Sequence, residues 1–437
     1  MADGTARQAS ESARAVEGVW RIESAKIIAT LTRNVGDLDL AEDLAGQALL
    51  EAVEQWPATG VPRNPAAWLT AVAMRRAIDG WRRRERLDER YAHLARELGH
   101  GSSRFEDEAW DPDRIDDDVL RLMFIACHPV LSRKAQVAMT LRVVGGLTTE
   151  EIGKAFLVPT ATVQQRIVRA KKTLTAAKVA FEVPGRDEFA SRLGAVLGVL
   201  YLVFNEGYAA STGREWMRTD LSGEALRLAR ILAELVPMEP EAHGLVALME
   251  LTASRFGART TPAGEPILLS DQDRTRWDRA QIMRGLAALA RSDAVGRGRG
   301  PYGLQAAIAE CHARAATFED TDWKRIVLLY EALAQLAPSP VVDLNHAAAV
   351  SMAYGPEPAL EYVDKLVAAG ELAGYHLLPS VRGELLGRLG RTEEARTELL
   401  EAARLAGNER ERAVLTAKAD AVCTPADPST TERPGSE

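Results

Sequence analysis

LTTEEIGKAFLVPTATVQQRIVRAKKTL, residues 147–174, divides into two short helices around a proline break. Gly145 and Gly146 close the helix before it. Thr148 with Glu151 fits a capping box, the spacing that satisfies the first free amides of a helix from both side chains. Val158-Pro159 forms the break, because proline cannot continue a hydrogen-bonded turn. Thr160 is the expected cap of the second helix, whose inner face is Val163, Ile167, Ala170 and Leu174 at helical spacing. Its outer face carries Thr162, Gln165, Arg166, Arg169 and Lys172. Between Thr160 and Phe181 the chain has Lys/Arg at 166, 169, 171, 172 and 178 and no acid. Such a helix suits a DNA major groove, with side chains for base edges at its start and cations for phosphates along its length. The competing reading is a solvated basic face on a structural helix.

A second basic helix weighs against that plainer reading. Asn64-Pro65 is a helix start, asparagine as cap and proline in the first turn. Trp68, Leu69, Val72, Ala73 and Ile78 define its expected apolar face, and Arg75, Arg76, Arg82, Arg83, Arg84 and Arg86 lie on the other side and toward its end. Trp81 sits within the arginine run, and an aromatic among arginines suits phosphates plus an unstacked base.

Elsewhere the balance is ordinary or acidic. The chain has 437 residues, 46% hydrophobic and 27% charged, which describes a globular protein of two or three domains. Its net charge of -8 lies entirely beyond residue 182: residues 1–182 hold 26 Lys/Arg against 26 Asp/Glu, whereas 183–437 hold 28 against 36. An acidic domain does not bind DNA by counterion release, so the C-terminal part is expected to bind protein or to mask the basic helices ahead of it. Cys127, Cys311 and Cys423 are too far apart for a disulfide framework or a zinc site. No secretory signal opens the sequence, and the longest apolar run, Leu193–Phe204, is too short to span a bilayer. A reducing cytoplasm is the expected location, with no membrane partner. No set of nucleophile, metal ligands or cofactor residues stands out, so neither an enzyme nor a cofactor is expected. Gly296–Gly300 mimics a phosphate loop but lacks the preceding strand and the lysine. His243, His312, His346 and His376 fall on alanine- and leucine-rich helices, where a hydrogen-bonded core histidine is the default.

The fold class expected is all-α. Val16, Val19, Trp20, Glu23, Ile27, Ile28 and Leu31 carry helical periodicity up to Gly36; Asp39 with Glu42 is the expected cap of the next helix, with Leu40, Leu44, Ala48, Ala52 and Trp56 as its stripe. Trp56-Pro57 is expected to end it, opening a loop over 57–64. Residues 99–118, with eight acids from Glu106 onward, read as a linker, and helices resume near Val119.

With these blocks in place, the N-terminal half resembles a bacterial extracytoplasmic-function sigma factor. The matching residues are Gly36-Asp37, Ala41-Glu42-Asp43-Leu44 with Gln47, Pro65–Leu69, Arg76–Asp79 with Arg82–Arg84, then Leu147–Gly153 and Thr162–Lys171. The resemblance implies a region 2 domain (12–98) that docks on core RNA polymerase and opens the −10 promoter element, and a region 4 domain (119–182) that reads the −35 element. It implies polymerase contacts at Asp39, Asp43, Gln47 and Glu51. DNA contacts in region 2 fall at Arg63, Asn64, Arg75, Arg76, Asp79, Arg82 and Arg83, and those in region 4 at Thr160, Thr162, Gln165, Arg166, Arg169 and Lys172. Arg75 stands where many relatives have an amide. Residues 57–64 are the expected pocket for a flipped base, whose unstacking pocket contacts must offset.

Beyond residue 182, punctuation recurs at one spacing: Gly355 and Gly390 are 35 apart, Ala359 and Ala395 36 apart. The last copy, Gly387–Ala395 followed by Ala402-Ala403, is similar to a tetratricopeptide repeat, a helical pair that buries its core only by stacking. The region 183–423 also resembles the tetratricopeptide-like extension of one sigma-factor group, through Tyr201–Tyr208, Asp273-Arg274 with Arg276–Ala280, Pro301–Ile308, Asp320–Trp323 and Leu344–Ala347. Residues 424–437 read as a disordered tail. The function expected is a sigma factor regulated in cis by this helical domain, whose grooves suit a protein or peptide partner. The alternatives are a polymerase-independent helix-turn-helix regulator with a repeat sensor domain, and a repeat scaffold with nonspecific nucleic-acid binding.

Overall fold

A computed structural model describes residues 2–95, 112–156, 158–209 and 217–422. The chain forms two compact units, divided after Leu200. Among the described residues all regular structure is helical, apart from one isolated bridge between Thr260 and Pro266. No helix among them is long and apolar enough to cross a membrane. The expected tail and the linker residues up to 111 lie outside the described residues.

In the first unit, α1 (Ala2–Val35), α2 (Leu38–Thr59), α3 (Pro65–Ala95) and α4 (Pro112–Ala126) pack around α1. Apolar residues three and four apart put Ile27, Ile28 and Leu31 of α1 in one core with Leu44, Ala48, Ala52 and Trp56 of α2 and Leu69 and Val72 of α3, all buried. Trp56 and Trp68 meet edge to face at 5.5 Å.

Several local expectations shift. The cap of α2 is Asp37, not Asp39: Gly36, at φ +71, ends α1, and Asp37 takes the extended conformation in which its Oδ1 accepts from the amides of Asp39 (2.8 Å) and Leu40 (3.1 Å). Pro57 does not end α2, because it lies in the last turn, which the Gly60 amide closes on the Trp56 carbonyl at 2.9 Å. Ile78 is exposed; Ala77 takes the buried position one residue earlier. The segment expected as linker is helical from Pro112, and its last acid, Asp118, is fully buried against Arg121 (2.6 Å) and Arg33 (3.3 Å). That acid serves as a structural anchor where composition suggested solvation.

Helix α5 (Arg133–Met139) runs into a π-turn, Thr140–Val144, that ends at Gly145-Gly146. Gly146 has φ +72, the left-handed region that favours glycine, and a β-carbon there would lie 2.4 Å from Ser24 Oγ. Helices α6 (Thr149–Phe156) and α7 (Thr160–Ala176) follow, then α8 (Arg186–Tyr208), which carries the chain past Leu200. Before that boundary α8 packs within the first unit: Phe189 meets Phe124 at 5.6 Å and Arg192 donates to the Phe124 carbonyl at 3.2 Å.

The second unit is a succession of helices, most packed on their sequence neighbours and α12 chiefly on α10: α9 (Thr219–Leu235), α10 (Pro240–Ala253), α11 (Arg279–Ala294), α12 (Pro301–Arg314), α13 (Trp323–Leu336), α14 (Pro340–Tyr354), α15 (Pro356–Ala368), α16 (Leu377–Arg388), α17 (Thr392–Leu405) and α18 (Glu409–Val422). Gly355 and Gly390, the two punctuation points 35 residues apart, both take positive φ at tight turns between consecutive helices. Gly296–Gly300 is a loop between α11 and α12, held by Arg297 on the Met238 carbonyl (2.6 Å) and Arg299 on Asp293 (2.8 Å).

Candidate nucleic-acid and polymerase interface

The turn into α6 has the geometry its sequence demands. The Thr148 amide donates to Glu151 Oε2 (2.7 Å) and the Glu151 amide to Thr148 Oγ1 (3.1 Å), a closed capping box. The N-cap of α7 is Pro159 and not Thr160, which is already in the first turn; no side chain caps this helix. Val163, Ile167, Ala170 and Leu174 are all buried, as their spacing predicts. Thr162, Gln165, Arg169 and Lys172 are exposed, and Thr160 and Arg166 are half-buried. One face of α7 therefore presents a hydroxyl, an amide and two cations to solvent.

On α3, Asn64 Oδ1 accepts from the Ala67 amide (3.0 Å), so this candidate DNA contact is also the helix cap. Arg63, Arg75, Arg76 and Asp79 are exposed. Arg82 and Arg83 continue along the same helix, with side chains outside the described residues.

On α2, Asp43 and Gln47 are exposed one turn apart. Asp39 and Glu51 are engaged. Glu51 accepts from Arg76 Nη2 at 2.7 Å and from Gln55 at 2.9 Å, so a candidate polymerase contact and a candidate DNA contact share one ion pair. Asp39 takes Lys171 Nζ of α7 at 2.5 Å, and the same ammonium lies 3.1 Å from Glu42 Oε2. Glu42, 8% exposed, also receives Arg142 Nε at 2.6 Å. Burial works against the charge of Lys171, but Glu42 and Asp39 outweigh it and leave its pKa raised. This clasp joins α2 to α7 within the first unit. The sequence places Lys171 among the basic residues of the recognition helix and Glu42 as the expected capping partner of Asp39, and it does not single out Arg142. The available signal was position: Glu42 stands between Ala41 and the i+3 residue Ala45, both fully buried, on the core side of α2.

Residues 23–87 match the family described as Sigma-70 region 2, and residues 121–174 match Sigma-70, region 4. The two matches run from within α1 to within α3 and from within α4 to within α7, and they contain every candidate contact described above. The chain belongs to the sigma-70 family. As a sigma-70 protein it is a factor for transcription initiation, which pairs its class with RNA polymerase and promoter DNA, and it carries a helical C-terminal extension. Residues 192–293, in that extension, match a family of unknown function. An uncharacterized protein of Rhizobium meliloti (strain 1021) is 45% identical over 415 residues, 92% of this sigma factor and 93% of that protein, so most of the extension is shared. No solved structure matches the chain.

Proposed function

We propose that this sigma factor directs core polymerase to specific promoters as an extracytoplasmic-function type. The exposed face of α7 reads duplex DNA at the −35 element, α3 with residues 60–64 engages the −10 element, and Asp43 and Gln47 of α2 dock on the polymerase. The observation that carries this reading is the split of α7 into a fully buried apolar stripe and a solvent face of Thr162, Gln165, Arg169 and Lys172. Lys172→Ala should lower the salt slope of promoter binding by about 1, the signature of one lost phosphate contact. Arg169→Ala should cost about 1–3 kcal/mol and relax preference at one base pair. Anisotropy titrations against salt and single-base variants check both, and an unchanged slope and preference would remove α7 from the DNA.

The extension, which we read as tetratricopeptide-like, carries the net acidity of the chain and acts in cis as a required part of the initiating state. Truncation near Val183 is a poor test, since it removes Phe189 and Arg192, which pack on Phe124 in the first unit. Run-off transcription with a chain ending at Leu200 should be several-fold weaker than with the full chain. A shortened chain more active than the intact one would make the extension an inhibitor.

A further inference from the structure

The block Tyr201–Tyr208 has no part in the promoter-binding account, yet it builds one wall of a cavity. Tyr201, Phe204, Asn205 and Tyr208, spaced i, i+3, i+4 and i+7, form one face of α8 in the second unit. They line a space of about 390 Å³ with Leu248, Leu251 and Arg255 from the α10 side and residues of α12, α13 and α14 opposite. That is the size of a small-molecule site.

Its charge is one-sided. Arg255 lines the cavity and spends one hydrogen bond, from Nη2 to the Tyr208 hydroxyl at 2.6 Å; among the described residues no carboxylate forms an ion pair with it. Two further guanidinium groups stand close but are committed. Arg259 stacks 3.6 Å from the Tyr208 ring centroid and donates to the Tyr208 carbonyl. Arg274 donates to the carbonyls of His312 (2.6 Å) and Ala315 (3.0 Å) and to Thr321 Oγ1 (3.1 Å). Burial opposes ionisation of the Tyr208 phenol, but Arg255 and Arg259 more than reverse this and hold its pKa below the usual range, as a local excess of positive charge would. His312, also on the wall, adds no charge: burial first, then Arg255 and Arg274, pull its pKa down to about 3. Its buried Nδ1 has no hydrogen-bond partner among the described residues.

We propose that this cavity binds a small aromatic carboxylate, with the carboxylate on Arg255 and the ring among Phe204, Tyr208 and Tyr330. The remaining donors of Arg255 form the planar fork that a carboxylate matches. The rings supply flat apolar walls. Asn205, Gln305, Asn345 and neutral His312 offer uncharged hydrogen bonds to ring substituents. With one wall cation that has no carboxylate partner among the described residues, a monoanion is better neutralised than a phosphate dianion.

The test is calorimetric titration of the full-length chain, without polymerase, so that its outcome does not depend on the transcription reading. The probes are phenylacetate, 4-hydroxyphenylacetate, the neutral isostere phenylacetamide, and inorganic phosphate. Saturable binding of one arylcarboxylate per chain is expected, tighter than phenylacetamide by about tenfold or more, the worth of a charge-assisted hydrogen bond. Arg255→Gln should remove that preference. Ala309→Leu, which places a larger side chain at the cavity wall on a good helix former, should abolish binding even if the arginine variant folds poorly. Equal affinity for phenylacetamide, saturation by phosphate alone, binding untouched by Ala309→Leu, or no saturable heat from either carboxylate at about millimolar concentration would each overturn the assignment.

Discussion

Glu42→Ala should destabilise the first unit by about 3–5 kcal/mol, because it strands two cations that folding has taken out of water. Glu42 accepts from Arg142 at 2.6 Å and lies 3.1 Å from Lys171, whose side chain is 13% exposed. Asp39 would still pair with Lys171, but its own side chain is 63% exposed, so the surrounding water screens that contact. Arg142 would keep only its bond to the Leu147 carbonyl among its described side-chain hydrogen bonds. Two compact units make a single melting curve hard to interpret, so hydrogen exchange at the α2 and α7 amides is the better measurement. Protection should fall by about two to four orders of magnitude in both helices together. Replacing Glu42, Lys171 and Arg142 together by leucine should recover much of the loss, since a packed apolar set often equals a buried ion network. Unchanged protection in the single variant would show that the network contributes nothing to the packing of α2 on α7.

Asp43→Arg combined with Gln47→Arg should weaken binding to core polymerase by about 100-fold while leaving helix content unchanged. Both side chains are exposed on one face of α2, and no described hydrogen bond or ion pair ties them to the rest of the chain. Reversal there changes the proposed docking face alone. Glu51 is a poorer choice, since reversing it would also place two arginines where Glu51 and Arg76 now pair at 2.7 Å. A competition titration with labelled core enzyme reads the effect, and wild-type affinity in the double variant would move the docking face elsewhere.

Much of this architecture was legible where spacing alone decides it. The stripe Val163, Ile167, Ala170 and Leu174 is buried as read, the Thr148–Glu151 box closes, and Asn64 caps α3. What escaped depends on partners distant in sequence. Nothing near Lys171 announces that it meets Asp39 and Glu42 some 130 residues away, and nothing near Asp118 announces Arg33. Composition made Asp118 part of a solvated linker, whereas two arginines turned it into a core anchor. Boundaries failed for a local reason: Gly36 and Pro159 each fix where a chain can enter a helix, and each moved the cap by one or two residues. The cavity beside Arg255 was invisible because its wall residues come from five helices. Only the i, i+3, i+4, i+7 face at Tyr201–Tyr208 could have hinted at it.

The most direct test of the central claim is reconstituted transcription: purified full-length chain, core polymerase from the same source, and a pool of genomic promoter fragments. The account predicts transcripts from a restricted set of start sites, each preceded by shared −35 and −10 elements, and none with core enzyme alone. Tight promoter binding with no transcript from any fragment would contradict it, leaving a DNA-binding regulator that works without forming an initiation complex.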